Sequence, residues 1–322
     1  MAVLTIDETK PTALFYLDSG PLPSSDTYTT IFILHGHTFH SPVFSRLLAL
    51  VPAYNLRLVA ITRRDYPGST SLGNLEVCAK IAKERELPKW RQEDGKGGIF
   101  LMGWSLGNML GLAAMTFLKE MPRDLREDLN EWVKGYIIFE STLGYKLSKY
   151  LPWSSLLYDG SMTASERVNT YMSWITSYFD HPDVDALKFS DKPSEARPSS
   201  DSSFTEENRS AFIEATIGPR SEDPLFRSHP ELIQYLRRKA LAPIPQSFWS
   251  NAEVLHIVGD KTSWGNLYAA DQLAKELSEW RAEGRRVRKY EKLILKGGNH
   301  FAHWDDPDKL LRILSDFTHS QG

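Results

Sequence analysis

The sequence predicts an α/β protein built on a mainly parallel sheet, and three observations carry that expectation. Short apolar runs of strand length alternate with longer segments of helical period, which is the pattern of βα units. Each run ends at a polar or glycine-containing loop, as a buried strand does when the chain leaves the sheet. The alternation breaks off once, from about Leu143 to Ser250, and then resumes. In a chain of 322 residues, that interruption predicts one core with a single large insertion.

The elements follow in order. Thr30-Ile31-Phe32-Ile33-Leu34 runs into His35-Gly36, and Leu56 to Ile61 runs into the polar turn Arg63-Arg64-Asp65-Tyr66-Pro67-Gly68-Ser69. Gly98 to Met102 leads straight into Gly103-Trp104-Ser105-Leu106-Gly107, and Leu106 to Lys119, rich in Ala, Leu and Met, has the propensity of a helix lying on the sheet. Val133 to Phe139 is a further strand that ends at Glu140-Ser141-Thr142. Within the insertion, Ala164 to Tyr178 and His229 to Arg238 are helix-like. Asp191 to Arg209, rich in Ser, Pro, Asp and Glu, reads as a mobile surface loop. The alternation returns with the strand Ala252 to Gly259, a helix over Ala269 to Glu283, the strand Tyr290 to Leu295, and a last helix for which Asp306 is a cap and Pro307 a first-turn residue. There is no internal repeat. The predicted organisation is a core formed by 1–142 and 251–322 with an inserted helical unit over 143–250.

Composition narrows the function. With 41% hydrophobic and 25% charged residues, the chain matches an ordinary globular protein. A net charge of −3, from 38 basic and 41 acidic residues, makes no field that would gather nucleic acid or acidic lipid. A single cysteine, Cys78, excludes an internal disulfide framework and a cysteine-based zinc site. The first residues lack the charged start and apolar run of a signal peptide, and no stretch approaches the roughly 20 apolar residues of a membrane span. A cytoplasmic location and a small-molecule substrate are expected. No nucleotide loop, coenzyme motif or metal-spaced His/Asp cluster is evident, so neither cofactor nor metal is expected. Oligomeric state is not encoded legibly.

The chemistry points to Ser105. A serine hydroxyl is a weak nucleophile until a base takes its proton and N–H groups receive the developing oxyanion. In Gly-x-Ser-x-Gly after a strand, the turn is so sharp that small residues are required two before and two after the serine, which is held exposed above the sheet. Gly103 and Gly107 fill those places. The helix that follows directs its positive end at the reacting oxygen, with Leu106 N–H as an oxyanion donor.

Four motifs in order resemble the α/β-hydrolase superfamily, and the resemblance spans nearly the whole chain. His35-Gly36-His37-Thr38 is similar to that family's oxyanion loop after its third strand, and Arg64 to Ser69 to the loop after the fourth. Gly103 to Gly107 is similar to its nucleophile elbow, and Gly297-Gly298-Asn299-His300-Phe301 to the segment carrying its catalytic histidine. The resemblance implies an α/β-hydrolase fold with a mostly parallel eight-stranded sheet and a helical cap inserted after strand 6. It also implies His300 as base and the backbone N–H of His37 or Thr38 as second oxyanion donor. His35, His37 and His40 are otherwise read as structural or pocket-lining, and His303 as bordering the pocket or capping backbone.

The acid that orients the histidine departs from the family's commonest pattern. The usual acid stands three residues after the glycine ending the seventh strand, where this chain has Thr262 in Gly259-Asp260-Lys261-Thr262. Two acids remain open: Asp260, one step from that glycine, and Glu140 at the end of the sixth strand, where several branches of the superfamily carry theirs. A serine at the elbow favours acyl transfer to water, hence hydrolysis of a carboxylic ester or lactone. Trp153, Tyr158, Tyr171, Trp174, Tyr178 and Phe179 give the insertion aromatic surface for its own core or for a fairly apolar substrate. Two other readings share the fold: a cofactor-free dioxygenase or lyase that uses His300 as a base without acylation, and a non-catalytic ligand-binding homologue.

Overall fold

Strands β1 (Ala2–Asp7), β2 (Thr12–Asp18), β3 (Thr29–Leu34), β4 (Leu56–Ile61), β5 (Ile99–Trp104), β6 (Val133–Phe139), β7 (Glu253–Gly259) and β8 (Tyr290–Leu295) form one sheet in a computed structural model of the chain. The structure describes residues 2–7, 12–67, 69, 74–145, 161–217, 222, 230–242, 249 and 251–320. The strand order is β1-β2-β4-β3-β5-β6-β7-β8. The pairs β1·β2 and β2·β4 are antiparallel, and every pair from β3 onward is parallel.

Helices supply the crossovers: α1 (Ser45–Leu50) after β3, α2 (Asn74–Glu84) after β4, and α3 (Gly107–Thr116) and α4 (Arg123–Trp132) after β5. Between β6 and β7 come α5 (Ala164–Ile175), α6 (Glu206–Phe212) and α7 (Pro230–Leu241). The chain then forms α8 (Trp264–Ala282) after β7, and α9 (Ala302–Asp305) and α10 (Pro307–His319) after β8. The interruption foreseen in the sequence therefore falls after the sixth strand.

Every residue of β3, β4, β5 and β6 is buried, because helices cover both faces and successive side chains point to opposite sides. Ile31, Ile33, Phe100, Met102, Ile137 and Phe139 enter one core with Leu47 of α1 and Leu310, Leu311 and Leu314 of α10. Phe32, Leu34, Leu101, Tyr136 and Ile138 enter the other with Leu112 of α3, Leu129 of α4 and Leu273 and Leu277 of α8. The parallel strands stop at one level, Leu34 beside Gly103, Trp104 beside Phe139 and Gly259 beside Leu295. The loops after β3, β5, β6, β7 and β8 consequently gather along one edge, the carboxyl edge where open α/β sheets bind ligands.

Three details depart from the sequence reading. The β1–β2 hairpin was not among the strands read from individual apolar runs. Among the described side chains of β2, Leu14 and Tyr16 are buried while Phe15 and Leu17 are half-buried, so its signal is a weak alternation. Helix α8 begins at Trp264, before the expected Ala269, its first turn held by burial of Trp264, Asn266 and Leu267 and not by helix propensity. The polar stretch 191–209 is no featureless loop. Ser200–Ser203 forms a 3-10 turn, Ser200 Oγ donates to Thr176 O at 3.1 Å, and Thr176 Oγ1 donates to the buried Asp201 at 3.1 Å. Short polar side chains satisfy backbone and side-chain groups there. The last helix has the expected start, with Asp306 accepting from Lys309 N at 3.3 Å. Among the described residues, no helix is long and apolar enough to cross a membrane.

Candidate active site

The turn after β5 is shaped by steric limits. Ser105 sits in the left-handed region at φ 54°, a conformation that costs a non-glycine residue on the order of 1–3 kcal/mol. A Cβ on Gly107 would lie 2.1 Å from Leu34 O, and one on Gly103 would lie 2.6 Å from Asn108 Cα, so neither position admits a larger residue without displacing backbone. The strained turn is braced. Ser105 N–H donates to Phe139 O at 3.0 Å, and Asn108 Nδ2 donates to Ser105 O at 3.1 Å and Phe139 O at 3.2 Å. Tyr136 Oη donates to Asn108 Oδ1 at 3.0 Å. Helix α3 starts immediately afterwards, with Leu106 at its N-cap, where backbone N–H groups have no intrahelical acceptor.

Glu140 is fully buried and, like Ser105, left-handed, at φ 53°. Its Oε1 accepts from Gly259 N–H at 2.6 Å. Its Oε2 is approached by Thr262 Oγ1 at 2.5 Å, Asn266 Nδ2 at 2.8 Å and His300 Nδ1 at 3.1 Å. Asn266 Nδ2 also lies 3.1 Å from His300 Nδ1, but an amide nitrogen only donates, and the carboxylate is the stronger acceptor. The proton of His300 therefore belongs on Nδ1, pointing at Glu140, which leaves the lone pair on Nε2. Thr262, which stands where the family's commonest acid would be, donates to the carboxylate that arrives from β6.

His300 is carried by the turn between β8 and α9. A Cβ on Gly259 would fall 2.1 Å from Gly298 O, so the end of β7 and this turn touch through backbone alone. Asn299 Nδ2 donates to Thr176 O and Ser200 Oγ, both at 2.8 Å, and Trp104 Nε1 donates to His300 O at 3.0 Å. The last bond fastens the histidine turn to the residue preceding Ser105. Asp260 is not brought to His300: its Oδ1 accepts from Gly297 N–H at 2.6 Å and Lys296 Nζ lies 3.8 Å from its other oxygen.

The loop after β3 lies against the serine. A Cβ on Gly36 would stand 3.0 Å from Ser105 Cβ and 3.4 Å from Ser105 Oγ. Gly36 O accepts from Arg63 Nη2 at 2.6 Å and from His35 Nδ1 at 3.0 Å, while His35 Nε2 accepts from Arg63 N–H at 2.8 Å. Thr38 N–H donates to Tyr66 Oη at 2.9 Å. His37 Nδ1 and Arg63 Nη2 both bond to the carboxylate of Glu222, and Tyr66 Oη donates to it at 3.1 Å. Burial alone would raise the Glu222 pKa, but the charges of Arg63 and His37 outweigh it and hold the carboxyl at about 2. No sequence motif pointed to Glu222, nor to Thr262 and Asn266 as partners of Glu140.

His303 neither borders the pocket nor caps backbone. It is fully buried, both ring nitrogens lack a hydrogen-bond partner among the described residues, and its ring is 4.5 Å from Trp104 and 5.1 Å from Phe44. Of the insertion's aromatic residues, Phe179 is fully buried against Trp174, Tyr178 is bound to Asp305, and Tyr171 meets His37 edge-on at 5.9 Å. Trp153 and Tyr158 lie outside the described residues. Among the described residues, no cluster of three or more His, Cys, Asp or Glu could hold a metal ion.

Burial keeps four histidines neutral in the fold: His35 and His303 are held well below the ordinary imidazole range, His40 at about 4 and His256 at about 3. The unfolded chain protonates them near pH 6.5, so the unfolded state binds more protons between those values and stability falls as pH drops below 6.5. Each contributes up to about 1.4 kcal/mol per pH unit. Denaturant titrations are expected to show unfolding free energy declining from pH 6.5 to about 5, before most carboxylates protonate. A flat profile over that window would contradict neutral burial of these rings.

Once sheet, elbow and histidine turn are in place, the comparisons with known proteins agree on the fold. The model of the alpha/beta hydrolase family matches residues 31–313, and the chain belongs to that family. Its fold is similar to a Vigna radiata epoxide hydrolase mutant (11% identity, 99% of this chain and 98% of that one, TM-score 0.58). It is also similar to a bromoperoxidase from Bacillus anthracis (13%, 97% of each chain, 0.56) and to Cfl2 from Burkholderia cenocepacia (17%, 98% and 94%, 0.56). No curated protein sequence matches the chain.

Proposed function

We propose that this protein is a serine hydrolase that cleaves a carboxylic ester or lactone of a fairly apolar small molecule through an acyl-enzyme on Ser105. The observation that carries the reading is the Ser105 turn, held left-handed between β5 and α3 with the Gly36 backbone against its side chain. In this reading His300 Nε2 takes the Ser105 proton as the hydroxyl attacks the carbonyl carbon, and returns it to the leaving alkoxide. Glu140 is the acid that fixes the His300 tautomer and stabilises the imidazolium, and Asp260 is a turn residue. Leu106 N–H and His37 N–H receive the oxyanion, since Thr38 N–H is already engaged by Tyr66. The segment 143–250 serves as a cap, with the Tyr171 ring edge-on to His37 of the oxyanion loop at 5.9 Å.

Labelling with a fluorophosphonate followed by mass mapping tests this. An adduct confined to Ser105, together with turnover of p-nitrophenyl esters, is expected. A folded protein that neither labels nor turns over would defeat acyl chemistry and direct attention to His300 acting as a base without a covalent step, or to ligand binding alone.

A further inference from the structure

We infer that Glu222, a residue of the segment inserted between β6 and β7, is a positioning residue that aims the His37 N–H at the oxyanion by gathering Arg63, His37 and Tyr66 on one carboxylate. The inference rests on the serine-hydrolase reading above. A trans peptide points its C=O and N–H in opposite directions, so whatever fixes Gly36 O also fixes the direction of His37 N–H. Gly36 O is fixed by Arg63 Nη2 at 2.6 Å, and the same Nη2 is bound by Glu222 Oε1. The next peptide is held too, because Thr38 N–H donates to Tyr66 Oη at 2.9 Å and that hydroxyl donates to Glu222 Oε2 at 3.1 Å. His37 itself bonds through Nδ1 to Glu222 Oε2. One carboxylate, 6% exposed, thus reaches both peptides flanking His37 and its side chain.

The inserted segment makes two further backbone bonds to this loop, His40 N–H to Phe212 O at 2.9 Å and Glu214 N–H to Thr38 O at 2.8 Å. These tether the loop, whereas the Gly36 carbonyl is held by His35 Nδ1 and by Arg63, and of those two it is Arg63 that Glu222 binds. A carboxylate is needed because all three partners donate. A glutamine in its place presents one NH2 to a donor and leaves the buried Arg63 charge uncompensated.

The test compares Glu222→Gln and Glu222→Asp with the wild type, counting only enzyme that titrates with a fluorophosphonate, so that misfolded molecules do not enter the rates. Loss of one oxyanion donor costs about 10²–10³-fold in kcat, and misdirection of one is expected to cost roughly 10- to 100-fold. Glu222→Gln is expected to lower kcat by that factor, to leave KM within about threefold, and to weaken an alkylboronic acid by the same factor as kcat. The boronate becomes tetrahedral on the serine and occupies the hole, so it reads a misaimed donor. Glu222→Asp, which keeps the charge on a shorter arm, is expected to fall between the two, and it carries the same comparison if the glutamine variant does not fold. If kcat and boronate affinity stay within about twofold of wild type, the inference is overturned while the acyl-enzyme stands. If the wild-type serine neither labels nor binds the boronate, the underlying reading fails as well.

Discussion

Ser105→Ala is expected to lower kcat toward an activated ester by about 10⁶-fold, the loss that follows when the nucleophile of a serine triad is removed. Alanine tolerates the elbow no worse than serine, since the strain at φ 54° belongs to any residue with a Cβ. The brace of Asn108 and Phe139 acts on the backbone of residue 105, so the fold is expected to survive. What disappears is the oxygen proposed to attack. A residual acceleration of roughly 10³–10⁴ over water remains from oxyanion donors and binding. Steady-state kinetics on the variant separate the mechanisms sharply, because a reaction in which His300 acts as base without acylation loses little when the hydroxyl is removed. Retention of more than about a tenth of kcat would sink the acyl-enzyme.

Glu140→Gln is expected to lower kcat by about 10⁴-fold, with KM nearly unchanged, while Asp260→Asn stays within a few-fold of wild type. The magnitude follows from tautomer control. A glutamine that keeps its oxygen toward Gly259 N–H must turn its NH2 toward Thr262, Asn266 and His300, all of which donate to Glu140 now. The imidazole then relieves the clash by placing its proton on Nε2, where it can no longer accept from a serine, the situation in which an amide beside a triad histidine costs about 10⁴. Asp260 faces Gly297 N–H and Lys296, away from the ring. Comparable losses at both positions, in folded protein, would show that the acid assignment is mistaken.

The sequence and the folded chain agree where chemistry and local geometry coincide. The strands β3 to β8 were legible as strand-length runs, and the elbow was legible because Gly103 and Gly107 flank Ser105 at fixed spacing between a strand and a helix. His300 and the loop at His37 were placed by resemblance of short motifs. The acid was not decidable from the chain, since Glu140 and Asp260 both end strands. Only the parallel register, which lays Phe139 beside Ile257, brings Thr262 and Asn266 around one carboxylate and not the other. Glu222 was invisible for a related reason: it lies 185 residues from His37, no spacing rule joins them, and a lone glutamate in a polar segment looks solvated. His303, three residues after His300 in sequence, was read as bordering the pocket or capping backbone and is instead a fully buried ring packed against Trp104 and Phe44.

The separation of those parts along the chain has its own implication for how the protein matures. Gly36, Ser105, Glu140, Glu222 and His300 come from nearly the whole length of the polypeptide, and His300 joins last in order of synthesis. In the proposed mechanism, a nascent chain that has folded β3 to β6 holds Ser105 and Glu140 but not yet His300. On the proposed reading, hydrolytic competence therefore waits for the turn that carries His300 to dock against the rest of the sheet.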